Sequence, residues 1–198
     1  MMNAWALPET VTVGNTEYNI RSDYRAILDI IAMQNDLELP PAMRVQGMLD
    51  IFYVDSDRIL SLPQELMEEA CRKACDFIDY GTLENNGTPA PRTMDWQQDA
   101  PILIPAINTV AGKEIRAEKH LHWWTFLGYY MEIKEGIFSQ VLAVRQKRAK
   151  GKKLEKYERE FERENLQLVR LREQVSEEEL RRRKKESSSV DELFGIRR

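Results

Sequence analysis

The chain has 198 residues, of which 42% are hydrophobic and 31% charged, and its formal net charge is -4. This composition is typical of a soluble protein with one domain, or one domain and an appendage. No run of about 18 uncharged apolar residues occurs, which excludes a membrane span, and two cysteines are too few for a disulfide scaffold. The first residues lack a basic stretch followed by an apolar one, so we expect no signal peptide and a reducing, cytoplasmic setting.

Charge is unevenly distributed along the chain. Residues 1–110 hold 7 Lys and Arg against 17 Asp and Glu, whereas residues 111–198 hold 22 against 16. An acidic first part and a basic second part predict charge pairing within the chain or between chains.

The N-terminal residues predict a β-hairpin and then a helix. Thr10–Val13 and Thr16–Ile20 alternate between polar and apolar residues on either side of a Gly-Asn pair. Because Gly14 tolerates positive φ, this pair suits a tight hairpin turn. Ser22 or Asp23 can cap the helix that follows.

Apolar residues at helical spacing predict most of the remaining chain to be helical. The predicted helices cover Ala42–Tyr53, Pro63–Tyr80, Trp96–Ala111 and Ile137–Arg148. Asp95 with Gln98 is typical of a capping pair for the third of them, and Pro101 and Pro105 should shorten or kink it.

The most aromatic segment is His120–Met131, which contains five of the 17 aromatic residues in the chain. As a helix it is apolar on nearly every side, which is typical of a helix buried in the core or covered by a partner. The core interpretation is favoured, and the partner interpretation requires part of this surface to be open.

Beyond residue 150 the sequence becomes highly charged but keeps one apolar row. Its spacings alternate between three and four, and Glu164 interrupts the row where an apolar residue would be expected. The apolar members are Leu154, Tyr157, Phe161, Leu168, Leu171 and Val175. About three heptads are marginal alone but can dock on a neighbouring helix, which also makes self-association plausible. We therefore predict a mainly α fold with three parts: a helical domain with the hairpin at 1–150, a long charged amphipathic extension at 151–186, and a flexible tail at 187–198.

The chemical motifs of enzymes are missing from the sequence. It contains no glycine-rich phosphate loop and no nucleophile elbow, and Cys71 and Cys75 lie four apart, as two small core residues would. Glu118 and His122 share a helix face, so a two-ligand metal arrangement can be drawn, but a polar pair at the helix rim explains them better. We expect no enzymatic activity, no catalytic residue, no cofactor and no metal.

Two basic clusters, Arg145–Lys153 and Arg181–Lys185, raise the alternative of nucleic-acid binding. Both lie beside dense runs of glutamate that cancel their field, and cations at a helix C-terminus complement its dipole without a ligand. A solvated, self-paired face is therefore favoured over a nucleic-acid site.

Long ordered strings of sequence resemble one family. They are DWQQDAPILIPAINTVAGKEIR (95–116), HLHWWTFLGYYMEIKEGIFSQVLAVRQKRAKGKKLEKYEREF (120–161), LPETVTVGNTEYNIRSDYR (7–25) and GMLDIFY (47–53). Together they are similar to the gene-product-fifteen family of temperate siphophages and prophages, over most of residues 7–165. The residues after about 170 have no match.

This resemblance implies a function in phage tail assembly. Genes of the family lie between those of the major tail protein and the tape-measure protein, and their products are regarded as tail-assembly chaperones. The implied partners are the tape-measure protein, the major tail tube protein and a companion or fusion tail chaperone. Such a chaperone acts in the host cytoplasm and is absent from the finished virion. The alternatives are a structural tail or connector component retained in the virion and, third, a nucleic-acid-binding phage protein.

A chaperone of this kind needs apolar side chains that a client helix can cover. The candidate partner contacts are the large aromatic residues of the aromatic segment and of the C-terminal apolar row. They are Trp123, Trp124, Phe126, Tyr130, Tyr157 and Phe161. For each, burial in the protein's own core is the competing explanation.

Overall fold

The structure, a computed structural model, describes residues 6–79 and 91–172. It is mainly helical with one small N-terminal hairpin, which confirms the predicted fold class. Two strands come first, β1 (Thr10–Val13) and β2 (Thr16–Asn19). The helices are α1 (Tyr24–Gln34), α2 (Pro41–Phe52), α3 (Ser56–Leu60), α4 (Gln64–Ile78), α5 (Trp96–Ala111), α6 (Trp123–Met131), α7 (Ile137–Ala149), α8 (Lys156–Glu164) and α9 (Leu166–Val169), with a 3₁₀ turn at Ile115–Ala117.

The hairpin forms as its sequence predicts. β1 and β2 pair antiparallel, with Val11 opposite Tyr18, and Gly14 has φ 58° in the turn. Val11, Val13 and Tyr18 are buried, so one face of the hairpin belongs to the core. The Gly14 N–H also donates to a carboxylate oxygen of Glu69 at 3.0 Å, which ties the turn to α4.

Asp23 joins the start of α1 to the start of α6. One of its carboxylate oxygens accepts from the backbone N–H of Arg25 at 2.9 Å, as an N-cap does, and the other accepts from the N–H of Leu121 at 2.9 Å. The Arg25 guanidinium in turn donates to the carbonyl of Glu118 at 2.8 Å. These bonds fix the chain that leads into the aromatic segment.

Helix α5 runs unbroken through two prolines. Asp95 caps it by accepting from the Gln98 N–H at 2.7 Å, as predicted, and Gly112 ends it with φ 68°. The expected shortening at Pro101 and Pro105 does not occur. Both prolines are exposed on the outer side of the helix, while its inner face is anchored by side chains in the core.

One core joins the hairpin to helices α1–α6 and the first turn of α7. A second, smaller cluster consists of Val141, Val144, Leu154 and Val169, where the chain after α7 packs back on that helix. Asn165, with φ -118° and ψ 32°, separates α8 from α9. The apolar row predicted from residue 154 onward is therefore broken: Leu154 is buried, whereas Tyr157 is exposed.

Several predictions fall on residues outside those described. These are the end of the second predicted helix at Tyr80, the part of the extension from 173 to 186 with the basic cluster Arg181–Lys185, and the tail at 187–198. The boundary between domain and extension at residue 150 stays a prediction. Among residues 6–79 and 91–172, none of the helices has the length and apolar character that crossing a membrane would require.

Candidate protein-binding surface

The aromatic segment starts α6 and fastens it to the end of α4. The His122 side chain caps the helix, its Nδ1 accepting from the Trp124 N–H at 3.1 Å. The Trp123 Nε1–H donates to the carbonyl of Ile78 at 2.8 Å, and the Trp124 Nε1–H donates to the carbonyl of Phe77 at 2.9 Å. Both indoles thus have hydrogen-bond partners within the fold, as buried tryptophans usually do.

Two of the aromatic candidates are core residues. Trp123 is 2% exposed and Phe126 is fully buried, and their rings stack with centroids 5.6 Å apart. In this fold both rings are covered, which favours the competing explanation of burial in the protein's own core, and their selection as partner contacts stays a prediction. The rings are covered because α6 is packed from several sides, with Phe126 also stacked on Tyr24 at 4.6 Å.

The other two candidates of α6 are half-buried. Trp124 stacks on Phe77 with centroids 5.5 Å apart. Tyr130 lies 5.3 Å from the Trp96 ring and 6.1 Å from Phe138. Burial, and after it the charge of Asp99, raises the pKa of the Tyr130 phenol. Both rings serve mainly to pack the fold.

His122 has a structural role. Its Nδ1 accepts a backbone hydrogen bond, so its Nε2 carries the proton and donates to the carbonyl of Pro8 at 3.0 Å. Burial lowers the pKa of this imidazole below its ordinary value. Glu118 lies before α6 begins and pairs with Lys113 at 3.1 Å, so it does not share a helix face with His122, contrary to the prediction from the sequence. In the described part of the chain, no three metal-ligating side chains converge.

Tyr157 and Phe161 lie together, away from the α6 candidates. Together with one face of α7, from Ser139 to Val144, they line a groove of about 280 Å³, which we call the α7–α8 groove. Tyr157 is 69% exposed and Phe161 is half-buried. Tyr157 is the candidate contact with the most surface open to a partner.

A second groove was not predicted from the sequence. It lies between the outer face of α5 and the turn that leads into α7, has a volume of about 650 Å³, and is called the α5–α7 groove below. Its lining includes Val110, which is 37% exposed, and Ile137, which is 53% exposed. The two grooves share residues 134–136 and therefore adjoin at the start of α7. The sequence feature that could have pointed to this groove was the pair of prolines in α5, which we interpreted only as residues that shorten or kink the helix.

Three of the six basic residues in the cluster at the end of α7 are paired with carboxylates. Lys147 lies 2.6 Å from Glu158, and Arg148 lies 2.5 Å from Glu162. These cations lower the pKa of the Glu158 and Glu162 side chains. Part of the positive field of this cluster is thus neutralised within the protein, and the preference for a self-paired face over a nucleic-acid site stays a prediction.

Arg145 belongs to the same cluster but lies in the interior. Its guanidinium makes a two-pronged ion pair with Asp99, at 2.7 and 2.8 Å. It also donates to the carbonyl of Val169 at 2.9 Å and to that of Thr93 at 3.1 Å. Both side chains are at least 96% buried, with 4% and 2% exposure. The network joins α5, α7 and the C-terminal segment and has no open side for a ligand.

The fold and these surfaces define a small, mainly helical protein with open apolar grooves around one helix. A comparison with family models matches residues 5–171 to the family described as Bacteriophage Gp15 protein. The match covers most of the chain, and the protein belongs to this family. Membership indicates a phage structural or assembly protein. No curated protein and no solved structure gives a significant match.

Proposed function

We propose that this protein is a tail-assembly chaperone that binds the tape-measure protein while a non-contractile phage tail is built. The observation that carries the proposal is membership of the Gp15 family over residues 5–171. The family resemblance implies that the gene lies beside that of the tape-measure protein. This long helical chain, made before the tail tube encloses it, is therefore the expected client.

The described surface supports this function physically. A client helix is bound by a groove that accepts its apolar side chains in a row. Two adjoining grooves surround the start of α7, with the exposed side chains of Val110, Ile137 and Tyr157 beside them. Exposed aromatic and aliphatic anchors of this kind supply much of the free energy in protein interfaces.

Co-expression with the tape-measure protein of the same phage tests the proposal. We expect the tape-measure chain to stay soluble and to be captured with this protein, and to aggregate when expressed alone. The protein should also be missing from purified virions by mass spectrometry. Detection in virions at a fixed copy number, without any effect on tape-measure solubility, would instead indicate a structural tail or connector component.

A further inference from the structure

The α5–α7 groove has an apolar floor suited to a helix. Ile102, Ala106 and Val110 form its α5 side, and Ile133 and Phe138 lie opposite. From Pro101 to Val110 the helix rises about 14 Å at 1.5 Å per residue. This length accommodates about two and a half turns of a second helix, or three apolar side chains at spacings of three and four.

The rim of this groove favours hydrogen-bond donors and positive charge. Glu132 and Glu135 are both exposed on it. Helices α5 and α6 end nearby with partial negative charges, and α7 begins there with a partial positive charge, so the helix dipoles leave the rim negative on balance. Among the described residues that line the groove, Lys134 alone is cationic.

The prolines add a further acceptor. Pro105 has no N–H, so the helical hydrogen bond from residue 105 to the carbonyl of Pro101 cannot form. Both prolines line the groove and both are exposed. A lysine or arginine of a partner can donate to such a carbonyl.

We propose that the α5–α7 groove binds an amphipathic helix that presents aliphatic residues on one face and lysine or arginine beside them. The proposal rests on the function proposed above, because the helix is taken to be a segment of the tape-measure protein. A second copy of this chain fits less well, because a twofold contact through this groove would bring two acidic rims together. The acidic rim also repels nucleic acid.

Two variants with a control test the groove. Val110→Lys places a positive charge on the floor, at the C-terminal end of α5, where the helix dipole accepts a cation. Glu135→Lys reverses one charge of the rim. Met43→Lys is the matched control, because Met43 is 56% exposed on α2 outside the groove. Circular dichroism should show all three variants folded.

Two synthetic 18-residue helices serve as probes, one built from Leu and Lys and one from Leu and Glu in the same pattern. By fluorescence anisotropy we expect the Leu/Lys helix to bind at least tenfold more tightly. Val110→Lys and Glu135→Lys should each weaken its binding at least tenfold, and Met43→Lys should not change it. Equal affinity for the two helices, or binding that Val110→Lys leaves intact, would overturn the assignment.

Co-expression separates this inference from the proposed function. If the unaltered protein captures the tape-measure chain and Val110→Lys captures it equally well, the chaperone function stands and the α5–α7 groove is the wrong site. If the unaltered protein captures no tape-measure chain, the proposed chaperone function and the groove inference that rests on it both fail. Conversion of a dimer into a monomer by Val110→Lys, seen by sedimentation, would show that a second copy fills the groove and overturn the inference.

Discussion

Arg145 uses its whole hydrogen-bonding capacity inside the protein. A guanidinium has five N–H donors, and here they reach Asp99 twice and the carbonyls of Thr93, Leu168 and Val169. The carboxylate of Asp99 also accepts from the Asp95 N–H at 2.9 Å. Because every donor has a partner, the buried charge is stabilised where it lies.

Removing this charge should be costly. We expect Arg145→Met to lower the free energy of unfolding by about 3–5 kcal/mol, because Asp99 would remain as a buried, unpaired carboxylate. Urea denaturation followed by circular dichroism measures the change. Arg163→Met is the control: the Arg163 side chain is 76% exposed and 4.0 Å from Glu160, so its loss should cost at most about 0.5 kcal/mol. Similar losses for both variants would contradict this view of Arg145.

The double variant Arg145→Met with Asp99→Leu should be more stable than the sum of the two single losses predicts. Neither buried charge is then left alone. It should still be less stable than the unaltered protein, because the carbonyls of Leu168 and Val169 lose their donors. A thermodynamic cycle from the four denaturation curves gives this coupling energy.

His122 should make stability depend on pH. Burial holds its pKa in the folded protein below the ordinary 6.5, with the Pro8 hydrogen bond opposing the shift. Below pH 6.5 the unfolded chain therefore binds more protons at this site than the folded one, and the free energy of unfolding falls as the pH is lowered. The decrease levels off once the pH passes below the pKa of the folded protein.

Chemical denaturation at pH 7.5 and pH 5.5 measures this effect. His122→Asn keeps a good N-cap for α6 but cannot be protonated, so its stability should change less over this interval. Glu158 and Glu162, whose pKa values are lowered from 4.5, lose their contribution only at more acidic pH. An equal pH dependence in the variant would contradict the assigned role.

Among the elements, the hairpin turn depends on one glycine. An alanine at residue 14 would adopt φ 58° and bring its Cβ within 3.1 Å of a Leu66 methyl carbon. We expect Gly14→Ala to lower the free energy of unfolding by about 1–2 kcal/mol. Gly128→Ala is the opposite control: this glycine lies inside α6 with open space around it, so alanine should stabilise by about 0.5–1 kcal/mol. Thermal unfolding of the two variants shows whether the first is less stable, and the second more stable, than the unaltered protein.

Elements with strong local signals could be predicted from the sequence. The hairpin has alternating strands and a Gly-Asn turn, and α5 has a capping pair before it and a glycine after it. Helix α3, with five residues, and the three-residue 3₁₀ turn are too short to show a period. The break at Asn165 was missed because spacing alone does not show that Leu154 and Val169 both turn toward α7.

The candidate site was less predictable than the fold. The aromatic residues of α6 could be chosen by type, but whether a ring such as Trp123 is covered depends on α1, α4 and α5, which are distant in sequence. The α5–α7 groove depends on how two helices and a turn meet in space. The sequence around Val110 and Ile137 therefore does not by itself indicate a groove. The Arg145–Asp99 pair was missed for the same reason, since 46 residues separate its members.

At the scale of the whole molecule, the segment after α7 belongs to the fold. Leu154 and Val169 cover Val141 and Val144. We expect a chain ending at residue 172 to keep most of its stability, and one ending at residue 150 to lose at least about 3 kcal/mol through the apolar burial of those two side chains. Urea denaturation of the two chains measures their free energies of unfolding. Equal stability would place the domain boundary at 150, as predicted from the sequence.

The buried guanidinium also has a consequence for biosynthesis. A ribosome makes Thr93, Asp99 and Arg145 well before Leu168 and Val169, whose carbonyls complete the set of acceptors. Until those last residues emerge, part of the guanidinium must remain hydrated, and Val141 and Val144 stay uncovered. N-terminal parts of a chain fold first during translation, so the hairpin and the first helices can fold early, while α7 is covered only after Leu168 and Val169 have emerged.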